Sequence, residues 1–174
     1  MGERLRVFAF AGVFLCGVLL KAEAAQQRQQ SKLPANMEVS RHVLRALEKL
    51  YDKSPTFRAQ CARLASAKNL LVIVRFDGMM PSRFRAFTII ERRGRDLRAD
   101  VRLPHGWALI ELAAHEFEHV LEQIEGLNLR KLSRMRDTGV REIEPERYET
   151  DRAQRVGRVV AEEAAGSARA PSAD

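Results

Sequence analysis

The stretch WALIELAAHEFEHVLEQIEG, residues 107–126, decides how the rest of the chain is read. Leu109, Ile110, Leu112, Ala113, Phe117, Val120, Leu121 and Ile124 cover more than half the circumference of a helix running from about Trp107 to Glu125. A helix apolar over so much of its surface belongs in the middle of a fold. Gly126 supplies the stop, because glycine adopts the left-handed backbone that closes a helix.

Inside this helix the chain reads His115-Glu116-Phe117-Glu118-His119. Residues four apart are offset by only ~40° around the axis, so both imidazoles leave one face a turn apart. Such a pair occupies two corners of the tetrahedron that zinc prefers, with bonds of about 2.0–2.1 Å. Glu116 points to the side, where it can reach a zinc-bound water without ligating the ion. The chain has only four histidines. Burying two of them on an apolar helix without a partner would be costly.

Zinc takes a third protein ligand. One class of site continues the helix with glycine and histidine three and six residues beyond the second histidine, but here those positions hold Glu122 and Glu125. Without the glycine the helix carries Glu125 ~9 Å along the axis from His119. The acidic residues further on are Glu142, Glu144, Glu146, Glu149 and Asp151. The first three flank Pro145 in an expected loop, where a rigid ligand is harder to hold. Glu149 opens the last expected helix, so it ranks first as third ligand, with Asp151 second.

Upstream, Val43, Leu44, Leu47 and Leu50 have the spacing of a helix with one buried face, within Val39 to Leu50. Ser54-Pro55 reads as an N-cap followed by proline at the first position of a second helix, ending near Ala67. Three expected strands follow, Leu70–Phe76, Arg85–Arg92 and Leu97–Leu103. In the last, Leu97, Ala99, Val101 and Leu103 alternate with Arg98, Asp100 and Arg102, the mark of a sheet with one face in water. Residues 127–147 are polar and arginine-rich and read as a mostly irregular connection. A last helix is expected from about Arg147 to Glu163. Cys61 lies on an amphipathic stretch and reads as a small buried hydrophobe.

The ends of the chain read differently. Arg4 and Arg6 precede an apolar run from Val7 to Leu20, followed by Ala22-Glu23-Ala24, the pattern of a signal peptide over residues 1–24. The run is shorter than the ~20 residues of a membrane-spanning helix. An uncleaved anchor would leave the domain on the same side of the membrane. Export of the domain, to the periplasm or the cell exterior, is the expectation. Residues 25–40 are polar and glutamine-rich and read as a flexible linker, residues 41–163 as a metal-binding domain, and residues 164–174 as a disordered tail. At 174 residues with 45% hydrophobic and 30% charged side chains, the chain has the composition of one globular domain. Its net charge of +7 comes from scattered arginines rather than a finger, a basic helix or an RNA-binding signature, so no nucleic-acid partner is expected.

His115-Glu116-x-x-His119 with Glu149 on a following helix resembles the gluzincin metallopeptidases. Over roughly residues 40–163 the element order is similar to that of their small exported bacterial members. The resemblance implies a zincin-like α+β fold: two N-terminal helices, a three-stranded antiparallel-containing sheet, a central metal helix and a C-terminal ligand helix. It implies a zinc-dependent peptidase acting on peptide or protein substrates, with Glu116 as general base. Tyr148 is the expected donor to the tetrahedral intermediate, with His105 and Arg152 as further candidates. His42 is read as structural. Strand Leu97–Leu103 could be the edge to which an extended peptide adds. The family's Asn-Glu-x-x-x-Asp around the third ligand is here Tyr148-Glu149, with Ala153 at the aspartate's position. The competing reading is a non-catalytic zinc-binding domain that acts as an interaction partner in the envelope. A carboxylate-bridged di-iron site would need Glu-x-x-His on two helices. Neither His42 nor His105 has a glutamate three residues before it.

Overall fold

The computed structural model describes residues 31–79, 86–104, 106 and 108–166. The expected signal peptide, His105, Trp107 and residues 167–174 lie outside them. Two sheets and five helices follow one another in the described residues. Strand β1 (Met37–Val39) leads into helix α1 (Arg41–Lys53) and helix α2 (Pro55–Ser66). Strands β2 (Leu70–Phe76), β3 (Phe87–Arg93) and β4 (Asp96–Leu103) precede helix α3 (Leu109–Ile124), which carries His115 and His119. Helix α4 (Leu129–Ser133), strands β5 (Val140–Glu144) and β6 (Arg147–Thr150) and helix α5 (Asp151–Gly166) complete the order.

The main sheet has the order β1-β2-β4-β3. β1 and β2 are parallel, β2 and β4 are parallel, and β3 runs antiparallel to β4 as the second arm of a hairpin. The alternation in β4 is as expected, with Leu97, Ala99, Val101 and Leu103 buried. Helix α1 packs on β2, and α3 packs on β3 and β4. The core between these layers includes Leu47, Phe57, Val74, Leu103 and Phe117, and the rings of Phe57 and Phe117 stack 5.5 Å apart. Cys61 is buried there, and burial pushes its thiol up to about 12, as suits a packing residue and not a nucleophile.

Four expectations change. The stretch expected to be a linker up to residue 40 joins the fold from Lys32 onward: Leu33 and Met37 are buried, and β1 pairs with β2. β4 is not an edge, because β3 lies beside it; the edge next to α3 is β3. Residues 127–147 are more ordered than expected, since they hold α4, β5 and the first residue of β6. Glu149 therefore sits on a strand, two residues before the last helix begins at Asp151, and that helix continues to Gly166.

The turn out of α3 is as expected. Gly126 has φ 75°, Leu127 N–H donates to the Glu122 carbonyl at 3.0 Å, and Gly126 N–H donates to Gln123 at 3.2 Å. These bonds satisfy the last carbonyls of the helix. Ser54 caps α2, its hydroxyl accepting from Phe57 N–H at 2.9 Å. Glu163 of α5 reaches across to the same helix end. Its carboxylate accepts from Thr56 N–H at 3.1 Å, from the Thr56 hydroxyl at 2.7 Å, and from the Ser54 hydroxyl. Burial would raise its pKa, but these hydrogen bonds, with Arg58 nearby, hold it below the ordinary value. A folded-state pKa below the unfolded one gives stability that is present above the unfolded value of about 4.3 and lost as pH falls through the lower one. Glu163→Gln is therefore expected to lower Tm by a few degrees at about pH 7 and to change nothing at about pH 2. Thermal melts at both pH values check this, and an equal loss at both would contradict it.

Candidate metal centre

His115 and His119 leave α3 on one face, as a four-residue spacing requires. Their Nε2 atoms lie 3.2 Å apart. β6 brings Glu149 in front of them, with Oε2 3.4 Å from His115 Nε2 and Oε1 3.8 Å from His119 Nε2. One donor atom from each of the three falls within 4.8 Å of the others, so the group could hold a metal ion. The Glu149 carboxylate is itself anchored, because Oε1 accepts from Thr150 N–H at 2.8 Å.

α3 also buries three glutamates, Glu116, Glu118 and Glu122, at 4%, 2% and 1% exposure. A charge that deep must be paired or hydrogen-bonded, and each has its own solution. Glu116 accepts from the Thr88 hydroxyl of β3 at 2.7 Å. Glu118 accepts from Gln60 Nε2 at 2.7 Å and Arg152 Nε at 2.6 Å. Glu122 faces His119 Nδ1 at 2.9 Å and accepts from the Thr150 hydroxyl at 2.7 Å. Burial raises the Glu116 pKa, against the pull of His119 and the Thr88 hydrogen bond. Burial also lowers His115, with His119 pushing the same way against Glu149. At His119 burial opposes the charge, but the Glu122 hydrogen bond and the surrounding carboxylates outweigh it and raise the pKa.

An open cleft of ≈ 420 Å³ lies over these residues. One wall is β3, with Thr88 and Ile90; the other is the β5–β6 hairpin, with Ile143, Arg147 and Tyr148. A second cavity, lined by Glu111, Gln154 and Arg158, shares Ala86, His115, Glu116, Ile143, Arg147 and Glu149 with the first. Ile143 is 55% exposed, an apolar side chain standing on the hairpin at the rim of both. No protein-family model, curated protein or solved structure matches the chain.

The other candidates are placed elsewhere. Asp151 turns from the histidines to Arg141, at 2.6 Å. Glu142 accepts from Glu146 N–H at 3.0 Å, Glu144 pairs with Arg147 and Glu146 with Arg130. Arg152 is committed to Glu118 and Glu125, so it is not aimed at the cleft. Tyr148 lines the cleft, but its hydroxyl is enclosed and has the Arg130 guanidinium beside it. His42 is exposed on α1, with its ring 6.1 Å from that of Phe76. Sequence reasoning did not assign roles to Thr88, Thr150 or Glu122. For Glu122 a clue existed: the helix carries four glutamates, and on a helix apolar over most of its circumference some of them must be buried and need partners.

Proposed function

We propose that the chain is a zinc-dependent metallopeptidase acting outside the cytoplasm, with His115, His119 and Glu149 as ligands and Glu116 as general base. The convergence of Glu149 on the two imidazole nitrogens carries this reading. Two zinc–nitrogen bonds of about 2.05 Å at the tetrahedral angle hold the nitrogens ~3.3 Å apart. The Nε2 atoms are 3.2 Å apart, and the contacts to Glu149 are 3.4 and 3.8 Å. Two nitrogens and one carboxylate form the ligand set of a catalytic zinc site, not of a closed structural one. The leader pattern of residues 1–24 supports action outside the cytoplasm.

Zinc, when bound, supplies Lewis acidity and lowers the pKa of a water to about 7. With the metal in place, Glu116 would take a proton from a water in the cleft and deliver it to the departing amine. Thr88 fixes one carboxylate oxygen of Glu116 and leaves the other for the reaction. β3 is a sheet edge that borders the cleft, where an extended peptide could add as a further strand. Tyr148 would need its hydroxyl freed from the Arg130 side to serve as a donor there.

The test is metal content. Purified chain loaded with zinc and freed of excess is expected to retain one ion per chain by elemental analysis. His115→Ala, His119→Ala and Glu149→Ala should each lose it. A wild-type chain that retains no zinc sinks the proposal.

A further inference from the structure

Glu122 is the most deeply buried carboxylate on the metal helix, and both of its oxygens are used. Oε2 lies 2.9 Å from His119 Nδ1, and Oε1 accepts the Thr150 hydroxyl proton at 2.7 Å. The Thr150 oxygen then accepts from Ala153 N–H at 3.0 Å and so caps the start of α5. Proton placement follows from these partners. A threonine hydroxyl has one proton to give, and it goes to Glu122. With Nε2 serving as the ligand atom, Nδ1 carries the ring proton and donates it to Glu122 Oε2. The Nε2 lone pair of His119 is thereby left facing His115 and Glu149.

The same threonine holds the third ligand, through the bond from Thr150 N–H to Glu149 Oε1 at 2.8 Å. His119, Glu122, Thr150 and Glu149 thus form a closed ring of contacts that includes two of the three converging side chains, its last side being the 3.8 Å between Glu149 Oε1 and His119 Nε2. We propose that Glu122 is a positioning residue for the metal, setting the tautomer and aim of His119 and, through Thr150, tying that aim to Glu149. This role rests on the assignment of His115, His119 and Glu149 as ligands. Carboxylates that hold a metal-bound histidine through its second nitrogen are worth about 10–100-fold in metal affinity.

The experiment is a cobalt(II) titration of the purified chain, followed through the visible ligand-field bands, with Tm measured on the metal-free protein. Glu122→Gln keeps the size and a hydrogen-bond acceptor but removes the charge. It is expected to bind one cobalt with affinity ~10–100-fold weaker and with shifted bands. Thr150→Val should weaken cobalt binding in the same direction, and Thr150→Ser should restore it. A purely structural role would lower the metal-free Tm and leave the cobalt affinity and spectrum as in wild type; that result overturns the proposal. Should Glu122→Gln fail to fold, the Thr150→Val and Thr150→Ser pair decides alone. Wild type that binds no cobalt overturns the ligand assignment together with this role. Wild-type binding matched within twofold by Glu122→Gln and Thr150→Val overturns this role only.

Discussion

Glu116→Gln is expected to keep zinc at one ion per chain while lowering peptide hydrolysis by ~10²–10⁴-fold. The two halves of this expectation have separate causes. Glu116 is not among the three side chains that converge, so its replacement removes no ligand. The amide oxygen of glutamine can still accept the Thr88 hydroxyl proton, which at present goes to Glu116 at 2.7 Å. Local packing should therefore survive. What disappears is the ability to take a proton from water and pass it to a leaving amine, and the two other glutamates that α3 buries are already engaged. Glu118 is tied to Gln60 and Arg152, and Glu122 to His119 and Thr150. Elemental analysis and cleavage of a quenched-fluorescence peptide library measure the two halves. Loss of zinc in the variant would make Glu116 part of the scaffold. A zinc-loaded wild type that cleaves nothing in the library would favour the non-catalytic zinc-binding domain instead.

Legibility in the sequence followed the strength of the hydrophobic pattern. α3 carries a continuous apolar surface and a left-handed glycine, so its place in the core and its end were readable. β4 alternates cleanly because one face is buried. Alternation records faces, however, and not neighbours, so it gave no means of telling that β4 lies inside the sheet and β3 at its edge. β1 spans only Met37–Val39, too short for any period to emerge from a polar stretch. The β5–β6 hairpin was missed for a further reason. Its strands bury little, Ile143 faces solvent at the cleft rim, and the turn uses Pro145 with Glu146 at φ 62° instead of a glycine. Helical periodicity from α5 then extends back over Glu149 in the sequence, although Thr150 caps the helix after it. That His115, His119 and Glu149 could form one group was legible because metal-binding chemistry is in the residue types. The hydrogen bonds around them were not, because they depend on which buried polar groups face one another across α3, β6 and α5.

Gly157→Ala is expected to destabilise the fold and to weaken metal binding together. α5 buries Ala153, Gly157, Val160 and Ala164 against its neighbours, and α3 is the helix along which it packs most closely. A Cβ at 157 would stand 2.9 Å from the Glu111 carbonyl oxygen and 3.3 Å from His115 Cβ. Two effects oppose each other. Alanine is the better helix former by about 0.8–1.0 kcal/mol. Overpacking a close helix contact costs typically about 1–3 kcal/mol. The contact should win, because its nearest atom belongs to backbone inside α3 and cannot swing aside as a side-chain end would. Relief then requires α5 to move away from α3 at the turn that bears His115, which disturbs His115 and the helix that follows Glu149. A Tm lower by roughly 2–8 °C and a weaker cobalt affinity are expected in the same variant. Gly166→Ala is the control, since nothing lies within 4 Å of a Cβ there; its Tm should stay level or rise slightly. If Gly157→Ala behaved like Gly166→Ala in both measurements, the close approach of the two helices would not be what seats His115.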